Sequence, residues 1–466
     1  MQHPTETSVS TPHVVPFHRA LPRLVKDPVT ELANMGTEAA GRIVRVNLGP
    51  FRPYLVSHPD HVEQVLKTHW TNFVREGMFW RPLRRVTGQS ILGEGEAWAS
   101  TRKILAPLFT SRYIASLADD MADIISECML EMDKFADSGR LIDGGHQMTT
   151  IVNQAVIKVL FGGRISRDTA ERLAPEFATC ATSIGFRLLF PFVPYSVKVP
   201  GDRAFLRSAQ KIDEIVYPLI EEAKREGDTS AKEVVSKLLA ARLEKEGHAD
   251  LKQVRDDLVS IYGAASETTA MSLTWLWSVL HDHPEVNARL RQEIDDVVDG
   301  GPVRAEHVAR LPYLRMVLQE LLRVYPSAWI IPRQAVNDIE IGGMHIKAGS
   351  QVLVSPYTTH RLEEFVRDVV RHVFRSKLLG VPPNSANGFH TRRAAFTNGL
   401  DVISKRLRVM RQPYLILQSA ARASRGDHYH ACPRRLSRRD SLTYIPLQST
   451  GLLKRHLPRH IHVNLL

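Results

Sequence analysis

Glu267 and Thr268 stand side by side in an otherwise apolar stretch, Ile261-Tyr262-Gly263-Ala264-Ala265-Ser266-Glu267-Thr268-Thr269-Ala270-Met271-Ser272-Leu273-Thr274-Trp275-Leu276-Trp277. Burying a carboxylate and hydroxyls without partners costs free energy, so such a pair has a reason to be there. An acid beside an alcohol can pass a proton. The plain alternative is a satisfied polar pair, with Thr268 bonding the carbonyl one turn back. The small residues at 263–266 would let a large flat group or another backbone come close. Upstream, Trp98-Ala99-Ser100-Thr101-Arg102 places an indole N–H and a guanidinium one turn apart on a helix, donors suited to a carboxylate or propionate. Core packing for Trp98 and a surface ion pair for Arg102 are the plain alternatives. Glu320-Leu321-Leu322-Arg323 sets opposite charges one turn apart, a spacing that Glu222/Arg225 and Glu364/Arg367 also show. Tyr325-Pro326 and Trp329-Ile330-Ile331-Pro332-Arg333 follow it.

These residues need helices to hold them. Ile43–Leu48 and Pro53–Ser57 look like strands around a Gly-Pro turn, with a helix from about Asp60. Helical periodicity then predicts segments near 97–110, 114–136, 147–160, 170–189, 202–226, 231–245, 250–281, 284–298 and 312–323. Proline and glycine fall between segments in this reading. The 250–281 helix carries Glu267 and Thr268 and ends before Pro284. Trp275, Leu276, Trp277, Val279 and Leu280 cover nearly every face of it, the pattern of a core helix. A hairpin at Ile339–Ile346, turning at Gly342-Gly343, and a strand at Gln351–Ser355 complete a small sheet. The fold class is therefore mainly α with a small β part. Residues 1–40 read as a polar lead-in, 41–362 as one large domain, and 363–466 as a separate C-terminal region.

At 466 residues and 43% hydrophobic, the chain can bury a large core. Its three cysteines, Cys128, Cys180 and Cys432, form no disulfide framework and point to a reducing compartment. Residues 1–25 carry neither a signal peptide nor a run long enough to span a membrane, so a cytoplasmic protein without a membrane anchor is expected. The formal charge of +11 is unevenly spread. From Glu363 onward 16 Arg and 3 Lys face 6 acidic residues, a net +13, which leaves −2 for the first 362 residues. Scattered arginines at 422–439 read as a solvated run rather than a nucleic-acid site.

Together the motifs resemble the cytochrome P450 family from about Gly41 to Arg361. Leu55-Val56-Ser57-His58-Pro59 and Gly93-Glu94-Gly95-Glu96-Ala97-Trp98 look like its first sheet and the helix that touches haem, and His360-Arg361 resembles the end of the later sheet. Ala264-Ala265-Ser266-Glu267-Thr268-Thr269 is similar to the family's Ala-Gly-x-Glu-Thr-Thr motif, with Ala265 in place of the usual glycine. The resemblance implies haem b held by a cysteine thiolate, with Trp98 and Arg102 on one propionate, Arg333 on the other and Ala264 beside the cofactor. It implies proton relay by Glu267 and Thr268, and a structural role for Glu320 and Arg323. It also implies monooxygenation of a small apolar substrate. With no flavin or iron–sulfur module fused, electrons would come from a ferredoxin-type redox partner and its NAD(P)H-dependent reductase. Phe186, Leu188, Leu189, Phe190 and Phe192 fit either a substrate pocket or core.

The family's F-x-x-G-x-R-x-C-x-G signature is absent. Around Cys432, Arg425, His428, His430 and Arg434 replace the phenylalanine, first glycine, arginine and last glycine. The stretch at 390–405, where the family's spacing from Glu320 puts the ligand, holds no cysteine. Phe396-Thr397-Asn398-Gly399 would put Ile403 at that position, and the Ile403–Leu407 pattern would put Val402 there. Neither side chain has a lone pair for iron, although His390, His428 or His430 could offer an imidazole. The break in composition near residue 363 reads as a frameshift, which makes a catalytically dead protein the alternative to an oxygenase. Sequencing the locus tests this: an alternative frame without an F-x-x-G-x-R-x-C segment would sink it.

Overall fold

The computed structural model describes residues 13–137, 142–184, 187, 193–228 and 230–362, together with the strands Tyr444–Leu447 and Ile461–Asn464. In chain order the elements begin with β1 (His13–Val15), α1 (Phe17–Lys26), α2 (Pro28–Glu38), β2 (Val44–Val46), β3 (Tyr54–Val56), α3 (Pro59–Glu63) and β4 (Phe73–Val74). Next come α4 (Trp80–Thr87), α5 (Gly95–Leu105), α6 (Ser111–Asp137), β5 (Ile142–Asp143), α7 (Gly144–Phe161) and α8 (Arg167–Ser183). They are followed by α9 (Asp202–Glu226), α10 (Val234–Glu246), α11 (Leu251–Asp282), α12 (Pro284–Val298), α13 (Ala305–Val308) and α14 (Pro312–Val324). The last are β6 (Ile331–Ala335), β7 (Ile339–Ile341), β8 (Met344–Ile346), β9 (Gln351–Val354), α15 (Pro356–Thr359), β10 (Tyr444–Leu447) and β11 (Ile461–Asn464).

The described residues fall into two compact units. The first takes residues up to Val74 and those from Ala328 to 362, and holds a six-stranded sheet in the order β1-β2-β3-β9-β6-β4. β3 runs parallel to β9 and β6 antiparallel to it, with Tyr54 and Arg333 both in register with Val352. Val56, Val65, Ile341, Val352 and Val354 make its core. The β7–β8 hairpin turns at Gly342 and Gly343, both with positive φ, as the sequence predicts. Residues 13–38 form β1, α1 and α2, where a polar lead-in was expected. His360 caps the short α15, so His360-Arg361 close a helix rather than a sheet.

The second unit, Arg75 to Ser327 with the strands β10 and β11, is mainly helical and carries a small sheet in the order β10-β11-β5. Its core joins Leu173 and Cys180 of α8, Phe205, Ile212 and Ile220 of α9, Leu238 of α10, and Val254, Leu258 and Tyr262 of α11. Side-chain caps start these helices where Asp or Ser precedes them: Asp143 accepts from His146 N at 2.9 Å, Ser166 from Thr169 N at 3.2 Å and Asp250 from Lys252 N at 2.9 Å. Gly227 and Gly247 end α9 and α10 in the left-handed conformation.

The prediction that proline stays between helices fails at Pro22, Pro175 and Pro218, which lie inside α1, α8 and α9. All three sit on exposed faces, so the carbonyl each proline frees is within reach of solvent. Gly263 likewise lies within α11, which is unbroken over 32 residues.

Candidate functional site

Helix α11 changes character along its length. From Val254 to Ser260 every residue is buried. Gly263, Ala264, Glu267, Thr268, Thr269 and Met271 are then open, while Ser266 and Ala270 between them stay buried. A Cβ built on Gly263 would meet nothing within 4 Å among the described residues. Positions 263, 264, 267, 268 and 271 share one helical face, and that face is open among the described residues. From Leu273 to Val279 the helix is half-buried, with Trp277 packed on a second core and Trp275 stacked on Tyr325 at 4.5 Å. The expectation of a helix covered all round therefore holds only for its first half.

Glu267 is reachable from this face, yet the surrounding protein desolvates its carboxyl and raises its pKa above the ordinary carboxylate value. The carboxyl is thus shielded in part by neighbouring protein while the side chain as a whole stays open. The Thr268 hydroxyl donates to the Ala264 carbonyl at 2.6 Å, the local bond that the plain alternative expects. Its oxygen retains lone pairs that can accept a further proton.

Trp98 and Arg102 share a face of α5, with the guanidinium 5.5 Å from the indole centroid. Arg102 is exposed and has no carboxylate partner among the described residues, so the surface ion pair does not form there. Arg75, which the sequence reading overlooked, stacks on the other ring contact of Trp98 at 4.5 Å. Its Nε donates to the Gly93 carbonyl at 2.9 Å, and its backbone N–H donates to Glu94 Oε2 at 2.6 Å. Burial lowers the Arg75 pKa, and the nearby Arg102 and Arg84 charges add to this. The signal for this contact lay in Glu94, one turn before Trp98.

A buried charge network fixes α5 against α11. Arg242 of α10 donates to Asp257, to Thr101 Oγ1 at 3.2 Å and to Glu246 Oε2 at 3.0 Å. Asp257 is fully buried, and desolvation pushes its pKa up to about 6 although Arg242 pulls it down. Glu267 lies ten residues farther on, about 15 Å along the axis at the helical rise. The sequence signal for this network, Arg255-Asp256-Asp257 set into an apolar helix, was missed.

Glu320 and Arg323 form a two-point ion pair on α14, at 2.8 and 2.6 Å. Arg333 lies half-buried on β6 of the first unit, its Nη1 donating to the Pro332 carbonyl at 2.8 Å. Phe186, Leu188, Leu189, Phe190 and Phe192 lie outside the described residues, as do His390, Val402, Ile403, His428, His430 and Cys432.

The α11 face fits a large flat cofactor: glycine and alanine allow close approach, and the face is open among the described residues. Trp98 and Arg102 fit an anionic edge group of the same molecule. No described cysteine fits a metal ligand on that face. Cys128 is buried against Gln154 and Cys180 against the Phe205 carbonyl, and burial raises both thiols, Cys180 to about 11.

A family model described as Cytochrome P450 matches residues 10–367, ending within a few residues of the change in composition at 363. Pentalenene oxygenase of Streptomyces avermitilis is 26% identical over 378 residues, spanning 80% of this chain and 81% of that protein. Cyclooctat-9-en-7-ol 5-monooxygenase of Streptomyces melanosporofaciens is 30% identical over 372 residues, 78% of each chain. The crystal structure of the cytochrome P450DA heme domain shares the fold, with a TM-score of 0.66 at 19% identity over 76% of this chain and 78% of that one. No helix among the described residues is long and apolar enough to cross a membrane.

Proposed function

Because the chain belongs to the cytochrome P450 family, we propose that its distal machinery serves insertion of one oxygen atom of O2 into a small apolar substrate. The observation that carries this reading is Glu267, desolvated yet reachable, beside Thr268 on the open face of α11. Haem b, the family's cofactor, when bound supplies oxygen activation and the iron that accepts electrons. Trp98 and Arg102 would hold one of its propionates, while Ala264 leaves room for its ring. The raised pKa of Glu267 keeps a larger share of its carboxyl protonated near neutral pH than an ordinary glutamate would be. Its proton can pass to the Thr268 oxygen, whose own hydrogen is turned toward the Ala264 carbonyl. An electron-donating ferredoxin-type partner and its reductase complete the reading, and a cytoplasmic location fits it. The named relatives suggest an alkene or an unsaturated alcohol as the substrate class. Glu320 and Arg323 act as structural support.

One observation favours a second reading, a haem scaffold without catalysis: the thiolate signature is missing, and Cys128 and Cys180 are held in apolar cores. In that reading residues 363–466 are a shifted frame appended to a 41–362 family domain. A reduced CO-difference spectrum on purified full-length protein separates the two. The red-shifted Soret band that gives the family its name supports the oxygenase. Bound haem without that band supports the scaffold, and no bound haem refutes both.

A further inference from the structure

The second unit handles its buried arginines by a consistent rule, broken in one place. Arg164 pairs with two carboxylates, Glu226 and Glu233. Arg242 pairs with Glu246 and Asp257, and Arg255 with Asp213 and Asp256. At Asp202 the ratio inverts. One carboxylate there accepts from Arg187 Nε and Nη2 at 2.9 and 2.6 Å, and from Arg85 Nη1 at 3.1 Å. Hydrogen bonds from Arg187 first, with Arg85 and the Val199 N–H, hold the Asp202 carboxyl well below the usual carboxylate range.

Two more arginines converge on the same place. Arg81, Arg84 and Arg85 lie at i, i+3 and i+4 on α4 and face a common cavity of about 460 Å³, lined also by Arg187, Tyr195 and Asp202. Arg84 spends its Nη2 on Glu76 at 2.7 Å and on the Arg75 carbonyl at 2.6 Å. The exposed Arg81 guanidinium has no partner among the described residues. Tyr195 lies between two cations, 4.3 Å from Arg187 and 5.3 Å from Arg85 by ring centroid. Four guanidiniums thus face two carboxylates, an excess of two positive charges around a ligand-sized space.

We propose that this cavity binds a small organic dianion, a phosphate ester or a dicarboxylate, through Arg81 and Arg84 with Tyr195 as a further donor. Planar guanidiniums match both kinds of oxyanion in two-point geometry. The Arg187–Asp202–Arg85 cluster is the rigid floor, and Arg81 is the group left for the ligand. None of the lining residues lies on α11 or is among those proposed to hold haem.

The test is calorimetric titration of the purified full chain with inorganic phosphate, succinate and sodium chloride at matched ionic strength. Saturable binding of phosphate or succinate with Kd of about 1 mM or tighter, and none of chloride, supports the proposal. Preference between the two identifies the oxyanion class. Arg81→Gln is expected to weaken binding about tenfold, with the ligand-free melting temperature unchanged because the side chain is exposed. Arg207→Gln, an exposed arginine of α9 outside the cavity, is the control for general charge and leaves Kd as it was. No saturable binding of either anion overturns the proposal, and so does equal weakening by Arg81→Gln and Arg207→Gln.

Discussion

Replacing Arg242 with Met should sharply destabilise the helical unit. Arg242 is 3% exposed and Asp257 is at 0%, so neither can turn to water when the other is lost. The burden is already visible in the native pair. Raising Asp257 from 3.8 to about 6, at ~1.36 kcal/mol per pKa step, makes its ionised form cost about 3 kcal/mol at neutral pH even with the arginine present. Without Arg242 the carboxylate loses its cation, and Thr101 and Glu246 lose a donor. Removing one partner of a buried pair costs about 3–5 kcal/mol, and that is the loss expected at neutral pH. The sign with pH follows from linkage. A carboxyl whose folded pKa is raised destabilises the fold above its unfolded pKa, and does so increasingly until pH passes the folded value. In Arg242→Met that folded value rises further, so the deficit against the parent should shrink on acidification from about pH 8 to about pH 5. Urea midpoints read by tryptophan fluorescence measure it. Arg242→Met/Asp257→Asn, with both charges gone, should recover most of the loss. A deficit under ~1 kcal/mol at neutral pH, or one that grows in acid, refutes the reasoning.

Other outcomes follow from geometry. Gly88→Ala should destabilise by about 2–4 kcal/mol, because φ is +55 and the new Cβ would lie 1.9 Å from Asp256 Oδ2; thermal melting reads this, and an unchanged melting temperature contradicts it. Gly263→Leu should leave melting unchanged, since its side chain enters open space, yet abolish uptake of added haem as followed by absorbance; uptake equal to the parent's would show that this face of α11 is not the cofactor site. Cys128 and Cys180 should resist iodoacetamide at mildly alkaline pH, because burial raises both thiols. Peptide mass mapping that found either one alkylated in folded protein would contradict their placement.

Much of the helical frame could be read from the sequence because apolar periodicity and caps agree with one another. α9 and α12 span 202–226 and 284–298 as predicted, since capping signals and Pro284 fix their ends. Pro175 and Pro218 fall inside segments whose periodicity already read as helix, so the rule that proline stays between helices failed there, because a local rule cannot know which face of a helix meets water. Glu267 and Thr268 stood out because they are polar among apolar neighbours. Asp257 did not, since two acids beside an arginine look like a solvated face until Arg242 arrives from another helix. Arg75 on Trp98 was hidden for the same reason, a contact across a turn with no periodic trace.

The two halves of α11 also differ in what they require of the rest of the protein. From Val254 to Tyr262 the helix is locked by core and buried charge, so its amides should exchange with deuterium only when the whole unit opens. From Gly263 to Ser272 one face is open among the described residues, and those amides should exchange through local opening alone. Covering that face would carry the slow-exchanging boundary about two helical turns toward the C-terminus. That displaced boundary is a footprint of occupancy, visible without any knowledge of what the occupant does.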